Sequence, residues 1–154
     1  MLMIDRSFIV ESQKGLLSAL ATPCEVSRAF NPANGIPDYP KIEFKALWDT
    51  GAVHSVITPR VIEACGLKPM RLIKPVLLQG VDGYEPSEAY AINLSLPDHI
   101  TYHELPVLLK NPGKDVWWDL IVGMDIISTG EFIVKNVNSK TEWSFRYAPS
   151  KGAA

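Results

Sequence analysis

Lys41-Ile42-Glu43-Phe44-Lys45-Ala46-Leu47-Trp48-Asp49-Thr50-Gly51-Ala52, with Ser55-Val56-Ile57 close behind, is the stretch whose reading decides the fold. Ile42, Phe44, Ala46 and Trp48 fall on one face and Glu43 and Lys45 on the other, the period-two pattern of a half-buried strand. The strand therefore delivers an acidic side chain at the point where it stops. Thr50 can hydrogen-bond locally, and Gly51 lets the backbone turn sharply or approach another group closely. Taken alone, such a triplet is equally a loop aspartate capping its own turn.

Two later motifs change its meaning. Gln79-Gly80-Val81-Asp82-Gly83-Tyr84 is punctuated like a hairpin, with Asp82-Gly83 a type I′ turn signal. About seventy residues after the triplet, Trp118-Asp119-Leu120-Ile121-Val122-Gly123-Met124-Asp125-Ile126-Ile127 reads as an apolar strand, a glycine and a short apolar helix. This order resembles that of the retropepsin-like aspartic proteases, the retroviral enzymes and their single-domain cellular and bacterial relatives. The resemblance spans roughly Ile42 to Tyr147.

The resemblance implies a mainly β, closed-barrel acid-protease fold with one or two short helices. It makes Asp49 catalytic, with Thr50, Gly51, Ala52 and Ser55 supporting its loop. Gly80, Val81, Asp82, Gly83 and Tyr84 become a flap over the substrate. Ile121, Val122, Gly123 and Asp125 become the segment that supports the acid loop. Retroviral enzymes carry acidic residues after the triplet's alanine and an arginine after the later glycine. This chain has Val53-His54 and Met124-Asp125 instead, the Gly-x-Asp form of cellular relatives. Asp125 is expected to cap the short helix or to accept bonds from the acid loop.

Peptide hydrolysis of this kind uses two carboxylates sharing one proton, one activating water and the other donating toward the scissile carbonyl. Two like charges about 3 Å apart cannot both ionise readily. The Asp-Thr-Gly triplet occurs once, and Asp5, Asp38, Asp82, Asp98, Asp115, Asp119 and Asp125 lack its context. The expected enzyme is thus a homodimer, with Asp49 from each chain, cutting an extended peptide or unfolded protein. Two rivals stand beside it: a catalytically silent module of the same fold that dimerises or binds peptides, and an unrelated β-barrel binding domain.

The chain has 154 residues, 47% hydrophobic and 21% charged, the balance of an ordinary globular protein. One domain over residues 1–148 is expected, with a surface loop at 31–40 and a loose tail at 149–154. A net charge of −2 makes no case for nucleic acid. No apolar run approaches the ~20 residues of a membrane span. Met1 to Arg6 does not open like a signal peptide, which makes a cytoplasmic location the default. Cys24 and Cys65 read as free buried thiols. No cofactor is expected. His54, His99 and His103 show no metal-ligand spacing with the cysteines or Glu104.

Elsewhere, Phe8-Ile9-Val10 and Gly15 to Val26 read as opening strands. Thr58-Pro59 reads as a helix start and Gly66 as its left-handed stop. Tyr90, Ile92, Leu94 and Leu96 share one strand face. Leu105 to Leu109 reads as a strand. Phe132-Ile133-Val134 and the alternating Trp143, Phe145 and Tyr147 read as closing strands, joined by a turn at Asn138-Ser139-Lys140.

Overall fold

A computed structural model describes residues 5–70, 76–80 and 83–148, with 76–80 and 83–87 described by backbone pairing alone. The strands are β1 (Arg6–Glu11), β2 (Leu20–Arg28), β3 (Ile42–Trp48), β4 (Val56–Ile57), β5 (Val76–Gly80), β6 (Gly83–Ser87), β7 (Ala89–Leu96), β8 (Ile100–Leu109), β9 (Leu120–Val122), β10 (Gly130–Val137) and β11 (Lys140–Tyr147). Two short helices, α1 (Pro59–Cys65) and α2 (Met124–Ile127), complete the set with two 3-10 turns. The fold is mainly β, as the sequence implies.

Six strands close into a barrel in the order β2-β3-β9-β4-β8-β7. Inward positions of β3 are those its alternation predicts: Phe44, Ala46 and Trp48 are buried while Glu43 and Lys45 are exposed. Strand β9 runs parallel to β3 on one side and antiparallel to β4 on the other, and its three residues are all buried because Leu120 and Val122 pack in the main core and Ile121 in a second apolar cluster. A strand covered on both faces is expected to be continuously apolar, and Leu120-Ile121-Val122 is.

A second sheet, β1-β11-β10, lies against the barrel through an aromatic cluster. Trp48 stacks on Phe132 with ring centroids 6.0 Å apart and planes 3° from parallel. Phe8 and Trp143 meet Trp48 edge-on at 5.6 and 5.4 Å. Trp48 also donates its indole N–H to Thr22 Oγ1, which satisfies the one polar atom this ring buries. Each such aromatic pair is worth roughly 0.5–1.5 kcal/mol beyond its buried area. The β10–β11 connection uses Asn138 and Ser139 at φ 55° and 58°, the pair of left-handed residues a tight hairpin turn needs.

Several local expectations shift. The second strand starts at Leu20, not Gly15, and β8 begins at Ile100, earlier than Leu105. Helix α1 ends at Gly66 in the left-handed conformation, as expected, but Thr58 makes no side-chain cap. Its hydroxyl donates instead to the Asp119 carbonyl at 2.7 Å, so it ties the helix start to β9. In the β5–β6 hairpin Gly80 pairs with Gly83, which makes Gly83 a strand residue and not a turn centre. Val81 and Asp82, like the tail at 149–154, lie outside the described residues. A bulge in β8, where His103 and Glu104 together oppose Asn93 and Glu104 takes φ 50°, was hidden by the simple alternation. Asn93 is buried, and its Oδ1 accepts from the N–H groups of Phe30 and Glu104.

Both cysteines are buried and unpaired with each other. Burial, aided by the Asp119 carboxylate, pushes the Cys24 thiol up to about 12, and burial also raises Cys65. Neither thiol is a nucleophile at neutral pH.

Val122 has no exposed surface. Val122→Asp should therefore place an unpaired charge in the barrel at a cost of roughly 4 kcal/mol or more, close to the whole stability of such a domain. Circular dichroism and thermal melting should show a largely unfolded protein; a cooperative, wild-type melt would contradict the buried position.

Candidate active site

The backbone of β3 ends with Asp49 N–H donating to the Val122 carbonyl at 3.0 Å. Strand β9 thus fixes the first residue of the acid loop. The loop then turns on itself: Gly51 N–H donates to Asp49 Oδ1 at 2.8 Å and Ala52 N–H to the Asp49 carbonyl at 3.2 Å. A β-carbon at Gly51 would sit 3.1 Å from Asp49 Oδ1 and crowd the carboxylate. Asp49 itself is half-buried, while Thr50 and Gly51 are exposed. Among the described residues the Thr50 hydroxyl makes no hydrogen bond.

The far side of the loop is held by the segment after β9. Met124 N–H donates to the Ala52 carbonyl at 2.7 Å, and Asp125 N–H to the Val53 carbonyl at 3.2 Å. Ser55, only 1% exposed, is the hub. Its Oγ accepts from Gly123 N–H at 3.0 Å and donates to Asp125 Oδ1 at 2.7 Å. Its own N–H donates to Asp125 Oδ2 at 2.9 Å, while Ile126 N–H donates to Oδ1 at 2.9 Å. Asp125 therefore does both things the sequence allowed: it receives the acid-loop segment and it satisfies the first turn of α2. Gly123 lies so close beneath the loop that a β-carbon would stand 2.8 Å from the Ala52 and His54 carbonyl oxygens. No other residue fits there.

A second carboxylate, Asp119, fastens the other end of β9. It is 5% exposed; Oδ2 accepts from Lys45 N–H at 2.8 Å and Oδ1 pairs with Arg60 at 3.1 Å. The sequence reading passed over it because it lacks the triplet; the available signal was an acidic residue directly before a wholly apolar strand. Asp119 and Asp125 thus hold the two ends of one strand, and neither stands as a second catalytic acid.

Beside Asp49, the outward face of the barrel carries an apolar row. Leu47 pairs with Ile121, Ile121 with Val56, Val56 with Leu108, and Leu108 with Ala89. Leu47, Ala52 and Trp118 pack on it partly buried. Of the expected support residues, Ile121 belongs to this row, whereas Val122 faces the core. Met70 N–H donates to the Ala89 carbonyl at 2.8 Å, and the expected flap residues Gly80, Gly83 and Tyr84 lie in the β5–β6 hairpin. His54 and Val53 are exposed on the loop. Among the described residues no three metal-ligating side chains gather.

Ser55→Ala removes both Oγ bonds and leaves Gly123 N–H buried without its acceptor, at a cost of about 1–3 kcal/mol. Asp125→Asn turns an amide N–H₂ toward one of the three donors that now point at the carboxylate, with a penalty of the same order. Thermal melts should place both variants below wild type, whereas Asp5→Asn, exposed on the surface, should match it within error. Unchanged melting of Ser55→Ala would show that the hub is not needed.

A family model described as aspartyl protease matches residues 34–126, more than half of the chain. A retropepsin-like aspartic protease from Rickettsia conorii superposes with a TM-score of 0.53 at 11% identity, over 95% of this chain and 98% of that one. EIAV protease complexed with the inhibitor HBY-793 superposes with a TM-score of 0.50 at 19% identity, over 76% of this chain and 92% of that one. No curated protein sequence matches. At such identities these structures speak to the fold, which is that of the retropepsin-like proteases. On the match to the family model, which includes the acid loop and the segment through Ile126, this chain belongs to the aspartyl protease family.

Proposed function

We propose that this chain is one half of an aspartic endopeptidase whose active site forms when two copies present their Asp49 side chains to each other. The observation that carries the reading is the construction of the acid loop. A single Asp-Thr-Gly stands at the end of a barrel strand, its carboxylate is held by Gly51 N–H, and six hydrogen bonds and a glycine contact fix the loop to the segment from Val122 to Asp125. A surface turn needs none of this support. The exposed Thr50 hydroxyl is available for a bond across the two-fold axis.

In the dimer, one Asp49 is ionised and draws a proton from water, while its protonated partner donates toward the peptide carbonyl. The open cleft beside the acid, lined by Leu17, Leu20, Leu47 and Asp49 among others, offers an apolar wall to the side chains of an extended peptide. The β5–β6 hairpin, which follows the acid loop and precedes β9 in the chain, is the flap of this reading.

Asp49→Asn keeps the side-chain shape and removes the base. Cleavage of unfolded protein should fall by several orders of magnitude while melting and oligomeric state stay near wild type; activity near wild type would remove Asp49 from the mechanism. A pair sharing one proton also gives a bell-shaped rate profile against pH. Dilution is the further check. Below the dimer dissociation constant, rate per chain should drop with concentration, and excess Asp49→Asn subunits should suppress wild type. Constant specific activity in a sample shown to be monomeric would refute the shared site.

A further inference from the structure

The connection between β1 and β2, residues 12–19, hangs on one residue of β11. Thr141 is 1% exposed. Its carbonyl accepts from Ser12 N–H at 2.9 Å, and its N–H donates to the Gly15 carbonyl at 3.2 Å. Its Oγ1 accepts from Leu17 N–H at 2.9 Å and donates to Asn136 Oδ1 at 2.7 Å. One hydroxyl thus fixes a connecting segment and a strand of the terminal sheet relative to each other.

Between them and the end of β3 lies a cleft of about 420 Å³ that Asp49 shares. Its walls have two characters. Leu17, Leu20, Leu47 and Val134 are apolar, whereas Ser18 and Asn136 are polar and exposed. With Asn136 Oδ1 taken by Thr141, the two N–H groups of Nδ2 are left, and among the described residues they have no partner. The Ser18 hydroxyl, among the same residues, makes no hydrogen bond either. The cleft therefore offers a donor and a hydroxyl beside an apolar surface.

We propose that this cleft selects, next to the scissile bond, a substrate side chain with an apolar stem and a carboxamide end: a glutamine. The inference rests on the peptidase reading and names the side chain that its cleft takes. The stem lies on the leucines and Val134. The carboxamide oxygen accepts from Asn136 Nδ2, and its N–H₂ donates to Ser18 Oγ. Methionine has a similar length and covers the same wall, but it leaves both polar groups without a partner. Glutamate brings a second negative charge into a cleft that holds the Asp49 carboxylate. Asparagine carries the right group on a stem one methylene too short. Thr141 touches no substrate; it is a positioning residue that acts through Leu17 and Asn136.

Binding reads this apart from cleavage. Fluorescence anisotropy would follow one extended peptide on Asp49→Asn protein, with Gln, Met, Glu or Lys placed in turn on either side of the scissile bond. At one of the two positions Gln should bind about tenfold more tightly than Met. Asn136→Leu should abolish that preference. Asn136→Asp, which keeps an acceptor for Thr141 but presents a negative charge, should turn the preference from Gln to Lys. Thr141→Val should weaken the Gln preference without creating one for Lys, an outcome that mere loss of stability would not give. Equal binding of Gln and Met, an Asn136→Leu protein with the wild-type order, or no binding of any peptide would each overturn the subsite. Gln-selective binding by a wild-type protein that cleaves nothing would overturn the peptidase reading and keep the subsite. Cleavage indifferent to Gln and Met at both positions would do the reverse.

Discussion

Three residues of strand β9 hold the rest of the structure to its purpose. They lie between β3 and β4, the strands on either side of the acid loop, and hydrogen-bond to both. A loop between two strands that do not pair with each other would otherwise be wide and loose. Inserting a third strand gives it a floor, and the glycine at the end of that strand brings the floor within van der Waals reach. The carboxylates of Asp119 and Asp125 then stop the strand from sliding in either direction.

The arrangement also explains why retroviral-type charges after the triplet can be absent. In this chain the loop is held by a buried neutral hydroxyl bridging a backbone N–H and a half-buried carboxylate. The side chains of Val53 and His54 are left exposed, and only their backbone carbonyls meet the supporting segment. Trp48 adds a second anchor from behind, because its ring is shared between the barrel and the terminal sheet. Position of the acid is thus set from two sides, by hydrogen bonds below and aromatic packing behind.

Local pattern made the parts with a short repeat legible: the alternation of β3, the apolar run of β9, the glycine stop of α1. The acid loop and its supporting segment were legible because their residue types are dictated by close approach, as at Gly51 and Gly123. What stayed hidden depended on partners distant in sequence. Thr58 has the look of a helix cap, yet the Asp119 carbonyl competes successfully for its hydroxyl. Asn93 sits where a solvent-facing residue would sit in an even alternation, but it is buried there and its Oδ1 accepts from Phe30 N–H and from Glu104 N–H in the β8 bulge. Hairpin register slipped by one residue because glycine serves a strand pair as well as a turn.

The floor beneath the acid loop arrives late in synthesis. Lys45 and Asp119, joined by a hydrogen bond, are 74 positions apart in the chain. Contacts of such separation form slowly, since a large loop must close before they are rewarded. A nascent chain therefore displays its Asp-Thr-Gly long before anything can orient it, and a fragment ending before Gly123 never can. Order of synthesis therefore sets order of assembly: most of the polypeptide is made before the carboxylate has a fixed direction in which to point.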